Sequence, residues 1–436
     1  MKRGLLLPAA AASLLAMALQ ISSGMYDPFA LALVTLATAL AIAAALQRTP
    51  GGEPPAQLAL GAGILHGLAC QIFALPTFYS EGDLKGFHGL AVLATVFASA
   101  YLCVHLRASL QRLRFAGSLV LFAAMGIAVL HASPAPEIDV WYARSEAAQA
   151  LLHGLNPYSI SYPDLYPSES LALYGPDFVH GGRVWFYPYP PLVAFVDMLW
   201  PSDPRVLSLG AMVLAGWAIA RIGKTVTSEL AALLLLFQGR SFFVLEQAWT
   251  EPLTLAAFAL GVLLLVERAH WLFVGLSLGV CAASKQYSPL LLLPLVPRLP
   301  RRAALVALGV ALASLLPFFL WNASDFWRSL VTSRLSHGVR IDSLSLLALW
   351  ARQALRAGQD ELPSWALIPA FVAALAVLAV LWRGARLARA VTVSAAAWLV
   401  FVLLNKQAFC NYDWLGGGLL CVAVALWSRP EEKVEA

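Results

Sequence analysis

Apolar residues in this chain fall into long runs joined by short polar or basic connections. Five runs, at roughly 4–22, 28–47, 56–78, 87–106 and 114–133, each approach the ~20 residues a helix needs to cross a hydrocarbon core. The pattern then changes. Pro134 and Pro136 break the apolar series, and residues 137–158, EIDVWYARSEAAQALLHGLNPY, read as a helix with acids in its first turn. Asp139, Tyr142, Glu146, Gln149 and His153 form a polar stripe, and Val140, Ala143, Ala147 and Leu151 the opposite apolar one. Gly154 closes the helix and Asn156-Pro157 stops it. Such a segment is expected at a membrane interface, its apolar side in lipid and its carboxylates toward water.

Residues 134–187 are the longest polar stretch, rich in Pro, Tyr, Gly and Ser, with Asp164, Glu169, Asp177, His180 and Arg183 scattered through it. An irregular loop of that length is expected to bind something. The run after Tyr187–Pro191, ending at Trp200-Pro201, is too short to span. Read as a partial insertion, it leaves Arg221, Lys224, Arg268, Arg298, Arg301 and Arg302 on the same side as Lys2, Arg3, Arg48, Arg107, Arg112 and Arg114. The positive-inside bias makes that side cytoplasmic. Runs at 205–222, 229–246, 252–267, 271–284, 286–297, 303–321, 364–382, 390–405 and 410–428 then alternate, with Arg383, Arg386 and Arg389 inside. Ser343–Ala357 reads as a second interfacial helix. The start through Gln20 reads as an uncleaved first span rather than a signal peptide.

The expected fold is therefore all-α: a polytopic helical membrane protein of about 12–14 membrane helices, N-terminus cytoplasmic. Its parts are N-terminal helices (1–113), a module with the outer loop 134–190 (114–322), an outer loop with an interfacial helix (323–363), and C-terminal helices with a cytoplasmic tail (364–436). Composition agrees, since 60% of residues are apolar and only 12% charged. The net charge of +5 sits in the connections and forms no basic stripe, so no nucleic-acid partner is expected. Five cysteines, Cys70, Cys103, Cys281, Cys410 and Cys421, lie in or beside apolar runs without metal-ligand spacing or a disulfide framework. No internal repeat is visible, which weighs against a duplicated transporter.

On this topology Asp139, Glu251, Lys285, the cluster Asp325–Asp342, Lys406 and Asp413 converge on the outer face. Ionisable groups at membrane depth are costly, so their gathering marks a site. Asp139, Tyr142, the sequence His153-Gly154-Leu155-Asn156-Pro157-Tyr158 and Tyr189-Pro190-Pro191 together resemble the polyprenyl-phosphate-dependent glycosyltransferases of the membrane-embedded C superfamily, specifically glycosyltransferase family 87. Gly275–Lys285 is similar to that family's later outward helix ending in lysine, and Asn411–Trp414 sits where it has an aromatic-polar outer turn. The resemblance covers roughly residues 135–430 and leaves the first four runs as an added module. Glu251 in Trp-Thr-Glu-Pro and the Gly181-Gly182-Arg183 insert depart from the family pattern.

The resemblance implies a C-superfamily fold and inverting transfer from a polyprenyl-phosphate sugar, mannose first and arabinofuranose second, to a glycolipid or glycan acceptor. Asp139 is the implied base. A lipid phosphate is already a good leaving group, so the second carboxylic acid of hydrolases is not required. Lys285 and a basic residue of the 328–340 loop, Arg334 or Arg340 beside His337, are candidates for the phosphate. Tyr158, Tyr189, Glu251 and Lys406 complete the expected substrate-binding set, with no metal and no cofactor. Asp139, in a first helical turn, is expected to stay ionised.

Each residue also has a plainer reading. Asp139 is a common helix-start residue, Glu137 with Asp139 lacks a third ligand for a divalent ion, and Lys285 at an interface can snorkel. Glu251 before Pro252 suits a helix start. Two other functions compete: a flippase or transporter for lipid-linked glycans, which requires charges through the depth of the bundle, and a non-catalytic envelope assembly subunit. Topology has a direct check. A cysteine placed at Ser168 is expected to react with an impermeant maleimide from outside intact cells, and one at Arg301 only after permeabilisation; the reverse pattern inverts the orientation.

Overall fold

The computed structural model describes residues 5–47, 53–103, 108–358, 364–381 and 386–430. Lys2, Arg3, Arg48, Arg107 and Arg383, which carry part of the charge-based orientation, lie outside the described residues, as does the tail beyond 430. The chain is almost entirely helical: α1 (Leu6–Ser22), α2 (Pro28–Leu46), α3 (Glu53–Phe73), α4 (Lys85–Cys103), α5 (Ala108–Ala132) and α6 (Asp139–Leu152) come first. Then follow α7 (Ser170–Tyr174), α8 (Pro191–Asp197), α9 (Pro204–Gly223), α10 (Val226–Phe237), α11 (Ser241–Glu246), α12 (Glu251–Val266), α13 (Trp271–Ser284) and α14 (Pro289–Leu292). The remainder is α15 (Arg301–Trp321), α16 (Ala323–Trp327), α17 (Ser333–Ser336), α18 (Leu346–Arg356), α19 (Leu367–Leu381), α20 (Leu387–Leu403) and α21 (Cys410–Ser428).

Among the described residues, α2, α3, α9, α15 and most of α5 are long and apolar enough to cross a membrane. Shorter apolar helices, including α1, α12 and α20, pack among them. Every residue of α21 is buried, and from Trp414 to Trp427 it is apolar all round, as a central helix must be. The first helices share this core rather than standing apart from it: α1 packs along α3 and α21, α2 on α20, and α3 on α10. At one end of the bundle Glu267 pairs with Lys224 (2.9 Å) and Arg429 (3.0 Å). The connections expected on the outer side gather at the other end.

Three expectations change. The run 229–246 is not one helix but α10 and α11, broken at Gln238-Gly239-Arg240. The carbonyls freed there, of Phe237 and Gln238, both accept from Gln71 Nε2 (3.1 Å each), so the break carries its own hydrogen bonds into the bundle. The run 286–297 is likewise only α14 and a single 3₁₀ turn, Val296–Arg298. Residues 134–187 are not an irregular loop. They hold α6, a 3₁₀ turn at Pro157–Ser159, α7 and three short antiparallel strands, β1 (Tyr162–Pro163), β2 (Val179–His180) and β3 (Arg183–Val184), in the order β1-β3-β2. Gly181 and Gly182, at φ 59° and 70°, turn the β2–β3 hairpin in the left-handed region, the backbone that glycine adopts most readily.

The apolar side of α6 meets protein, not lipid: Ala143 and Ala147 pack against Tyr158, Tyr162, Tyr187 and Phe318. That face also carries Arg144, 2% exposed, whose Nε and Nη2 grip both oxygens of the fully buried Asp197 at the end of α8 (2.9 and 2.6 Å). Its Nη1 donates to Ser208 Oγ on α9 (3.2 Å) and to the Ala248 carbonyl between α11 and α12 (2.6 Å). With seven residues, α8 rises only about 10 Å, so it dips into the bundle without crossing. Arg144→Met, which strands a buried carboxylate, is expected to cost about 3–5 kcal/mol, read as an earlier unfolding midpoint in detergent. Arg144→Met with Asp197→Leu is expected to recover most of that loss.

Candidate active site

The connections at one end of the bundle enclose a cavity of about 400 Å³. Its wall takes residues from the α1–α2 and α3–α4 connections, the start of α6, α7, the segment before α8, the α11–α12 turn, the end of α13, the 334–342 loop and the α20–α21 turn. Asp139, Tyr189, Glu251, Lys285, Arg334, His337 and Arg340 all line it, so seven of the nine sequence candidates meet in one place.

Asp139 opens α6 directly after the extended Ile138. One carboxylate oxygen, Oδ1, accepts from the Val140 amide (2.9 Å), and Oδ2 accepts from the Tyr174 hydroxyl at the end of α7 (2.7 Å). The residue is half-buried and lines the cavity. Burial pushes its pKa above the ordinary aspartate value. The bonds from Tyr174 and Val140 and the charges of Arg340 and Arg334 pull the other way without cancelling that effect. The helix-start argument alone, which expected a firmly ionised carboxylate, omitted this desolvation. Glu137 is exposed and outside the cavity, so it forms no pair with Asp139 there.

The cations differ in what they have left to offer. Lys285 is buried and bonded to Glu251, with its ammonium 4.4 Å from the Tyr412 ring centroid. It does not snorkel, and its charge is already matched. Arg340 makes a forked pair with Asp342 (2.8 and 2.6 Å). Arg334 has no carboxylate within salt-bridge distance among the described residues. It touches only the Pro188 carbonyl (3.2 Å) and Gln407 Oε1 (3.5 Å), and its Nε has no partner. Of the three, Arg334 is the cation in the cavity that an anion can claim.

His337 is packed edge-on against Phe178 and Phe186 and tilted against Tyr174. Burial, reinforced by Arg334, Lys406 and Arg340, drives its pKa down to about 3, so it is a neutral ring at physiological pH. Two candidates stand one layer behind the cavity. Tyr158 is buried in the aromatic cluster beneath α6, and its hydroxyl donates to the Tyr189 carbonyl (2.7 Å). Lys406, its pKa lowered to about 8 by burial and then by Arg334, donates to the carbonyls of Leu335 (3.3 Å) and His337 (2.5 Å). Neither lines the cavity, and both hold backbone that carries wall residues.

Sequence reasoning missed Tyr174, Arg144 and Asp197. Tyr174 lay in a stretch without periodicity and gave no signal. Asp197 did give one: a carboxylate inside the short apolar run PLVAFVDMLW demands a partner. The chain matches no protein-family model and no curated protein. Tyr174→Phe removes a hydrogen bond that lowers the Asp139 pKa, so the carboxylate infrared band that vanishes in Asp139→Asn is expected to titrate at higher pH in Tyr174→Phe than in the wild type.

Proposed function

We propose that the chain is an integral membrane glycosyltransferase, moving a sugar from a polyprenyl phosphate to a hydroxyl of a glycolipid or glycan on the outer face of the cell membrane. One observation carries the reading: a desolvated carboxylate, Asp139, and a guanidinium without a carboxylate partner, Arg334, share one cavity at the end of an apolar helix bundle. In this reaction Asp139 takes the proton of the acceptor hydroxyl as its oxygen bonds to the anomeric carbon. The bond from that carbon to the phosphate oxygen breaks on the opposite face, and its electron pair leaves with the phosphate, so the configuration inverts. A pKa raised toward neutrality strengthens Asp139 as a base. Arg334 opposes the negative charge that grows on the departing phosphate. Tyr174 holds the carboxylate in place through Oδ2.

The outward orientation rests on charge. Arg221, Lys224, Arg298, Arg301, Arg302, Arg386, Arg389 and Arg429 belong to the connections at the end away from the cavity, which the positive-inside bias assigns to the cytoplasm. Lysines, arginines and carboxylates of the apolar helices sit in or near their terminal turns rather than through the depth of the bundle, a distribution that favours an enzyme over a conduit. Mannose is the first sugar to test and arabinofuranose the second.

The test is transfer of labelled sugar from polyprenyl phosphate to membrane lipids by the purified protein. Asp139→Asn is expected to slow transfer about 10²–10⁴-fold while leaving donor binding largely intact. Undiminished turnover in that variant would take the base role away from Asp139.

A further inference from the structure

The wall of the cavity near α12 and α21 has an unusual hydrogen-bond balance. Glu251 is 0% exposed, and its Oε1 is occupied by Lys285 Nζ and by Asn411 Nδ2 (2.8 Å), while Oε2 has no partner. Asn411 is 4% exposed, and because its Nδ2 faces a carboxylate, its other atom must be the acceptor oxygen. That oxygen, Oδ1, also has no partner. Both side chains line the cavity. Two buried acceptors on neighbouring, mutually bonded residues are therefore left without a donor, in surroundings where an unmet acceptor is costly.

The chemistry of the missing group follows. A phosphate brings further acceptors and no donor of use, so it is excluded from this wall. A metal cation is disfavoured, because the Lys285 ammonium already neutralises the Glu251 charge. What fits is an uncharged group with hydroxyl donors, and Trp249 and Tyr412 line the same cavity. The cavity thus has two unlike regions: a donor-rich one at Arg334 and an acceptor-rich one at Glu251 and Asn411.

We infer that Glu251 Oε2 and Asn411 Oδ1 form the sugar-recognition subsite, accepting hydrogen bonds from hydroxyls of the transferred glycosyl group while its phosphate lies toward Arg334. This rests on the glycosyltransferase reading and adds to it the residues that read the sugar. The Glu251–Lys285 pair gives the subsite its rigidity, holding one carboxylate oxygen so that the other is presented to the ring.

Binding to the purified full-length protein in nanodiscs tests this without transfer. The probes are a bare polyprenyl phosphate, the same lipid carrying mannose or arabinofuranose, and singly deoxygenated versions of each sugar. The wild type is expected to bind at least one glycosylated lipid about tenfold or more tighter than the bare phosphate, and to lose about tenfold when one particular hydroxyl is removed. Asn411→Ala is expected to cut the advantage of the glycosylated lipid over the bare one about tenfold, and an undiminished advantage in a folded Asn411→Ala overturns the subsite. Equal binding of glycosylated and bare lipids by the wild type, or indifference to every deoxygenation, overturns the subsite and leaves the lipid-phosphate reading standing. Failure to bind any of these lipids overturns both. The deoxygenated series reads the wild type alone, so it decides the matter even if Asn411→Ala does not fold.

Discussion

A buried ion pair sets the geometry on which everything else depends. Removing a guanidinium and a carboxylate from water costs several kcal/mol per ion before any attraction is counted. Arg144 and Asp197 recover that cost only by meeting as two parallel bonds and by satisfying the remaining guanidinium hydrogens on Ser208 and Ala248. The chemistry permits no looser arrangement, and this makes the pair a positional device. It joins α6, α8, α9 and the turn before α12 at one point. Asp139 lies just over one turn before Arg144 on α6, and Glu251 three residues after Ala248, so these two of the cavity's carboxylates are placed by the same clamp. A second clamp lies beside it: Asp203 accepts from Trp141 Nε1 (3.2 Å) and from Arg205, whose guanidinium reaches the Ser133 carbonyl (2.7 Å).

How much of this the sequence disclosed depends on the range of the interaction concerned. The apolar runs, the helix over 139–152, the stop at Asn156-Pro157, the short insertion before Trp200 and the helix near 346–356 are local patterns, and all were legible. The convergence of Asp139, Glu251, Lys285 and the 334–340 residues followed from alternation of spans once the charge bias marked the run before Trp200 as a partial insertion. What stayed hidden was pairing across the fold. Nothing near Lys285 in sequence says that Glu251 neutralises it, or that Arg334 is the cation left without an acid. The break at Gly239 was invisible for the same reason, because its freed carbonyls are served by Gln71, far away in the chain. The lipid-facing side expected for α6 was wrong because periodicity separates apolar from polar but cannot distinguish hydrocarbon from a protein's own aromatic cluster.

The cavity is better understood as a set of unequal hydrogen-bonding capacities than as a charged pocket. Acids and bases in its wall nearly balance, and most are spent on one another: Lys285 on Glu251, Arg340 on Asp342. Discrimination lies in the remainders, a guanidinium without an acid and two acceptors without donors. His337, held neutral by its surroundings, adds packing rather than charge, and it keeps the 334–340 loop against α7.

The connection between α1 and α2 has a consequence for how the molecule comes into being. Gly24, at φ 79°, lies so close to the start of α21 that a Cβ there would sit 2.1 Å from the Cys410 nitrogen, and Tyr26 donates to the Asp342 carbonyl (2.8 Å). The rim of the cavity is thus sewn from segments that leave the ribosome at widely separated times. A form ending before residue 410 lacks Asn411 and Tyr412 of the wall, and one beginning after residue 26 lacks Ser23 and Met25. Translation must therefore bring nearly the whole bundle into the bilayer before the wall of the cavity is complete.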